Sequence, residues 1–124
     1  MSEPGRFRKA VSRLASEDDV LEAHDLQQQC ASRGATAVKQ CQNREQVTVM
    51  GTVRSLTLRP RAGTPTLEVE LYDGSGTVTL TWLGRREIAG ITPGRQLTAS
   101  GRLTTNGGRR VIFNPRYELV SAAG

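Results

Sequence analysis

Histidine, cysteine and aromatic side chains are scarce in this chain. Its 124 residues hold one histidine, His24, and two cysteines, Cys30 and Cys41. A structural zinc site draws on about four such ligands, so it is hard to build from these residues. Two thiols are too few for a disulfide scaffold, and neither has a CxxC partner or a histidine at catalytic spacing, so both read as small packed residues. His24 has no second ligand nearby and reads as an ordinary surface or partly buried side chain. Phe, Trp and Tyr together make up 4% of the chain, which limits any stacking surface. No run of about 18 apolar residues occurs, which excludes a transmembrane helix. Residues 1–10 lack the apolar run of a secretory signal, so the expected compartment is the cytosol, with reduced thiols. No metal or other cofactor is expected.

Lysine is missing from residues 47–124, where all ten cations are arginine, against five acids. Residues 1–46 carry seven cations and seven acids, so the whole formal charge of +5 lies in the second part. A planar guanidinium matches phosphate and stacks on rings. A GC-rich genome would also favour arginine codons. The asymmetry itself points to a polyanionic partner. A length of 124 residues suits one domain, and 36% apolar residues with 13 glycines suit a modest core.

The front of the chain reads as helical. Phe7, Val11 and Leu14 recur at helical spacing. Ser16 and Asp19 resemble a capping box, and Glu17, Asp18 and Asp19 fall where a helix dipole favours anions. Residues 17–32 read as a helix with Ala23, Leu26 and Cys30 on one stripe, and Arg33-Gly34 is its stop. Residues 1–15 are expected to be flexible or weakly helical, residues 16–46 a helical brace and linker, and residues 121–124 a disordered tail.

From Val47 the period changes to two. Val47, Val49, Gly51 and Val53 share one face, and Leu56 and Leu58 the other, which predicts a long bent strand with a bulge. Residues 59–65 read as a loop. Leu67, Val69 and Leu71 alternate with Glu68, Glu70 and Tyr72, and Asp73-Gly74-Ser75-Gly76 is a turn. Val78, Leu80 and Trp82 face the core. Residues 84–91 leave room for a turn or two of helix, and Pro93-Gly94 is a turn. Leu97, Ala99, Gly101 and Leu103 line a fourth strand. Asn106-Gly107-Gly108 is a hairpin signal. The fifth strand starts at Val111, is broken by Pro115 and resumes near Tyr117. Phe113 is expected in the core, and Tyr117 reads as a packing residue with its hydroxyl at the surface. Five strands with an interruption after the third give the expected class: all-β, a five-stranded OB-fold Greek-key barrel over residues 47–120, preceded by an N-terminal α-helical segment. An SH3-like barrel ranks second.

The runs Val47–Val53, Leu71–Gly76, Val78–Trp82, Pro93–Gly101 and Asn114–Glu118 resemble the nucleic-acid-binding OB-folds of bacteria. They most resemble the wedge domain of RecG-type DNA helicases and small stand-alone OB proteins of actinobacteria. Anticodon-binding OB domains of aminoacyl-tRNA synthetases share the Asp73–Gly76 hairpin more loosely. The resemblance covers about residues 45–120 and implies the fold more strongly than the ligand. A phosphate-binding Gly-x-x-x-x-Gly-Lys-Ser/Thr loop is absent from the sequence, so no motor activity carries over.

OB barrels bind across strands 2 and 3, framed by the loops between strands 1 and 2 and between strands 4 and 5. The first loop brings Arg59 and Arg61, the second Arg109 and Arg110. Arg85 and Arg86 follow the third strand, and Arg54 and Arg102 leave strands at outward positions. Tyr72 is the best stacking candidate; Trp82 favours the core. Solvated arginines that keep the barrel soluble are the alternative. Glu68 and Glu70, outward on strand 2, would repel phosphate or pair with Arg54 or other neighbours. The expected function is a non-catalytic module binding single-stranded or branched DNA, or RNA. The alternative is a protein-interaction module that docks through the N-terminal helix. An enzyme is not expected, because no nucleophile–base or acid–base pair is visible by spacing.

Overall fold

The alternation that begins at Val47 becomes six strands, five of which close a ring. A computed structural model describes residues 20–120. The strands are β1 (Gln46–Arg61), β2 (Thr64–Tyr72), β3 (Thr77–Leu83), β4 (Gln96–Asn106), β5 (Arg109–Phe113) and the short β6 (Arg116–Leu119). Their order is β1-β2-β3-β5-β4-β6, and β1 pairs with β4 as well. The ring is therefore β1-β2-β3-β5-β4 and back to β1, with β3 and β5 parallel and the other neighbours antiparallel. This is the OB-fold expected from the sequence.

One long bent strand makes closure possible. Gln46–Thr52 of β1 pair with β4, and Thr52–Arg61 pair with β2. The register slips between Val53 and Ser55. That bulge moves the inward parity from odd to even residues, as the switch from Val53 to Leu56 predicted. Gly51 lies where the two halves meet. A Cβ there would stand 2.5 Å from the Tyr72 carbonyl oxygen, so β1 and β2 approach this closely only without a side chain.

Inside the ring, Val47, Val49, Val53, Leu67, Val69, Leu71, Val78, Leu80, Leu97, Ala99, Leu103 and Ile112 form one core. Each fully buried aliphatic chain contributes about 1.5–3 kcal/mol. Trp82 is buried in it, with its ring edge-on to Tyr117 at 5.8 Å and its indole N–H donating to the Pro115 carbonyl at 3.3 Å. Tyr117 is half-buried, and its hydroxyl donates to the Ala89 carbonyl.

The helix α1 is described from residue 20 to residue 32 and ends at Gly34, whose φ of 80° stops a right-handed helix. Leu26 and Cys30 pack against Met50 and Val120, and the Cys30 thiol donates to the Met50 carbonyl at 3.1 Å. Gly74 sits directly under the Ala23 carbonyl, where any Cβ would collide. Beside it, Asp73 is 1% exposed and joins three elements. Its Oδ2 accepts the Val38 amide at 2.8 Å, at the start of a 3₁₀ turn, and its Oδ1 accepts the Ser75 and Gly76 amides at 2.8 and 3.0 Å.

Two expectations are corrected. Residues 59–65 are not a loop: β1 and β2 run to Arg61 and Thr64, joined by the two-residue turn Ala62-Gly63 with φ of 49° and 81°. Pro60 and Pro65 face each other across the hairpin. Pro65 turns its carbonyl toward β3, where it accepts the Gly84 amide, so the missing N–H removes no bond between β1 and β2. Residues 84–91 form no helix; they are turns, with Gly84 and Gly90 at φ of 75° and 81° and Ile91 drawn into the core. The Phe7–Leu14 pattern, the Ser16–Asp19 box, the flexible residues 1–15 and the tail 121–124 lie outside the described residues. No described helix is long and apolar enough to cross a membrane.

Candidate nucleic-acid interface

Strand parity decides what the outer wall of the barrel presents. With Leu67, Val69 and Leu71 inward, Thr66, Glu68, Glu70 and Tyr72 of β2 face out. The pairings then align two rows across four strands: Thr57, Glu68, Thr81 and Phe113, and next to them Ser55, Glu70, Thr79 and Val111. Thr66, Thr79, Thr81 and Val111 face away from the core and yet are at most 8% exposed. Longer side chains lie over them.

Arg59 leans from β1 onto β2, its Nε 2.9 Å from Glu68. Arg109 reaches from β5 across β3, with a terminal nitrogen 3.2 Å from the Thr79 hydroxyl and 3.9 Å from Glu68. Arg61 stands over the Phe113 ring at 5.9 Å from its centroid. Strands lie about 4.8 Å apart, so a β1 side chain meets one on β5 only if the β1–β2 hairpin curls over the sheet. The hairpin does project past the end of β3: Thr66 faces Leu83, and the pairing continues to Arg61 and Thr64. The face is therefore a saddle, walled by the hairpin with Arg59 and Arg61 on one side and by Arg109 beside the Gly107-Gly108 tip on the other.

Glu68 does not lock these cations. Arg59 and Arg109 are 67% and 60% exposed, and exposed ion pairs are worth about 0–1 kcal/mol. Arg59 engages Glu68 through Nε, which leaves the terminal nitrogens of its fork facing solvent.

Among solved structures, the fold is similar to part of RecG bound to a three-way DNA junction, with a TM-score of 0.58 and 21% identity over 72% of this chain. The match spans 13% of that RecG chain. It is also similar to a replication protein A heterotrimer bound to single-stranded DNA, with a TM-score of 0.48 and 21% identity, covering 61% of this chain and 57% of that one. No family model and no curated protein matches the chain. The likeness to RecG bears on the fold, which the strand pairing already gives.

The nine residues singled out by sequence divide into groups. Arg59, Arg61 and Arg109 share the saddle. Arg85 and Arg86 are exposed just after Gly84, which is bonded to Pro65 of the hairpin, so they begin beside the same wall. Arg54 and Tyr72 meet at the other end of β2, where the guanidinium lies 4.0 Å from the ring centroid and covers that face of the tyrosine. Together with Glu22, Ala23 and Leu26 of α1 they line a cleft of about 450 Å³. Arg102 is exposed on β4 opposite Gln46, on the flank of the barrel. Arg110 is drawn away from the saddle: it points along the inward parity of Ile112 and donates to the Lys39 and Cys41 carbonyls. A wider groove of about 650 Å³ crosses β1, β4 and β6. Its hydroxyls are already used, Thr48 bonding Ser100 and Thr98 bonding the Glu118 carbonyl.

Phe113 corrects the sequence reading. It is 40% exposed rather than core, because the hairpin at Gly107-Gly108 pairs Leu103 with Ile112, which turns Ile112 inward and Phe113 outward. The signal was available: the hairpin register fixes that parity. Leu83, next along the outer face, is 45% exposed.

No described residues cluster as metal ligands. His24 is exposed on α1. Burial, and next the Asp73 charge, push the Cys30 thiol up to about 11. Burial foremost also raises Cys41, with Glu45 and Asp73 adding and Arg110 opposing.

Proposed function

We propose that this protein is a non-catalytic nucleic-acid-binding module that grips the phosphate backbone of a DNA or RNA strand across the saddle. The observation that carries the reading is the convergence of Arg59 and Arg61, from the end of β1, and Arg109, from the start of β5, onto one outer face of the barrel. A cation-bearing face beside an exposed aromatic suits a single or splayed strand. The finer likeness to RecG-type wedge domains and stand-alone OB proteins fits the same reading. Protonated, buried thiols and a lone exposed histidine favour binding over catalysis. Two unpaired cysteines suit a reducing cytosol.

Affinity is modest in this reading. Glu68 and Glu70 offset part of the charge, and three engaged arginines give a slope of log K against log salt of about −2 for a single strand. Fluorescence anisotropy of a labelled oligonucleotide at about 50 and 200 mM salt tests this, salt sensitivity being set by counterion release. Binding that weakens with salt, and weakens further in the triple variant R59A/R61A/R109A, supports the reading. Absence of binding at the lower salt concentration, or a triple variant that binds as well as the parent, refutes it.

A further inference from the structure

We infer that Arg61 and Phe113 form a clamp for one unpaired nucleobase, so that the saddle selects strands whose bases are free over strands whose bases are paired. This rests on the reading above and adds a base to what was a backbone contact. Two arginines of the barrel lie over aromatic rings, and the two pairs differ in one respect. Arg54 sits 4.0 Å above Tyr72, a closed stack with no room for an inserted plane. Arg61 sits 5.9 Å from the Phe113 centroid. Bases stack at about 3.4 Å, so a base between two planar groups needs close to 7 Å. The Arg61–Phe113 gap is about 1 Å short of that.

The missing distance is easily supplied. Arg61 ends a hairpin arm that projects beyond β3, and the turn Ala62-Gly63 ties it only to β2. Phe113 is held on β5 by ladder pairs to Thr81, so one jaw is fixed and the other can yield. The ring is 40% exposed, and Leu83 beside it is 45% exposed, leaving an apolar floor open to a planar ligand. Nearby on the same face Thr66 is 1% exposed, and its hydroxyl has no hydrogen-bond partner. An unpaired buried hydroxyl is costly, and it would gain a partner if a seated base or sugar displaced the longer side chains that lie over it. Arg59 pairs across from Thr66 and lies two residues before Arg61 on the same hairpin arm, so the arm that would hold a phosphate also carries the movable jaw of the clamp. A base inside a duplex is stacked on both faces and cannot enter.

The test compares two strands of equal length and charge, an oligothymidylate and the same backbone made of abasic sites, against the protein and its Phe113→Ala variant. Stacking is worth about 1–3 kcal/mol per base, so the thymidylate is expected to bind roughly 5- to 150-fold more tightly than the abasic strand. In F113A the two strands are expected to bind alike, at the parent's affinity for the abasic strand. Phe113→Trp is expected to restore the preference, and circular dichroism of both variants shows that the barrel is intact. Equal affinity of the parent for both strands overturns the clamp but leaves backbone binding standing. A preference for bases that survives in F113A places the stacking elsewhere and overturns it too. If neither strand binds, both readings fall.

Discussion

Replacing Glu68 by glutamine isolates the electrostatics of the saddle. The side chain keeps its shape and an oxygen for Arg59, but the negative charge between Arg59 and Arg109 disappears. A phosphate held by either guanidinium would sit about 5–6 Å from that carboxylate, on the far side of the arginine. At that distance like charges repel by about 0.7–0.8 kcal/mol in a water-like dielectric and by about 3 kcal/mol at an effective dielectric of 20. Both arginines are more than half exposed, so the lower figure governs. With two phosphates affected, E68Q is expected to bind single strands about tenfold more tightly at about 50 mM salt, and the gain should shrink as salt screens it. Stability should fall by less than about 1 kcal/mol, the usual worth of an exposed pair. Anisotropy titrations of parent and E68Q over a salt series read the effect directly. Unchanged or weaker binding of E68Q at every salt concentration would show that no phosphate approaches this face.

Three further outcomes concern the scaffold. Asp73→Ala removes the acceptor for three backbone amides in a buried site and should cost about 3–5 kcal/mol, read as a lower urea midpoint. Gly51→Ala sets a methyl group 2.5 Å from a backbone carbonyl that cannot rotate away, so a loss of about 1–3 kcal/mol is expected, measured by thermal unfolding. The Cys30 thiol is raised from 9.0 to about 11, so the folded state keeps its proton where the unfolded chain has lost it. Stability should therefore be flat in this group below pH 9 and fall as pH rises from 9 to 11, and a Cys30→Ala variant should lose that component of the pH dependence.

The strand pattern was legible because a barrel strand has one buried face, and alternation marks it. The bulge after Val53 was legible for the same reason: a change of parity leaves a trace in the order of apolar and polar residues. The hairpin from residue 59 to residue 65 was not, because its two prolines read as loop residues until their partners are known. They face each other where no ladder bond is required, a fact of register rather than of composition. The turns of residues 84–91 misled in the opposite sense. An eight-residue gap leaves room for a helical turn, but the barrel draws Ile91 into its core and holds Gly84 and Gly90 at positive φ.

The arginine-only cationic half and the closed five-stranded body were set by the sequence itself, since charge is counted residue by residue and periodicity is a local property. Which arginines act together was decided by the tertiary structure. Arg59 and Arg110 look equivalent along the chain. The β1–β2 register sets Arg59 on the saddle beside Glu68, and strand parity sends Arg110 to the Lys39 and Cys41 carbonyls. Phe113 likewise left the expected core for the outer face, because a single residue of register in a closed sheet exchanges inside for outside.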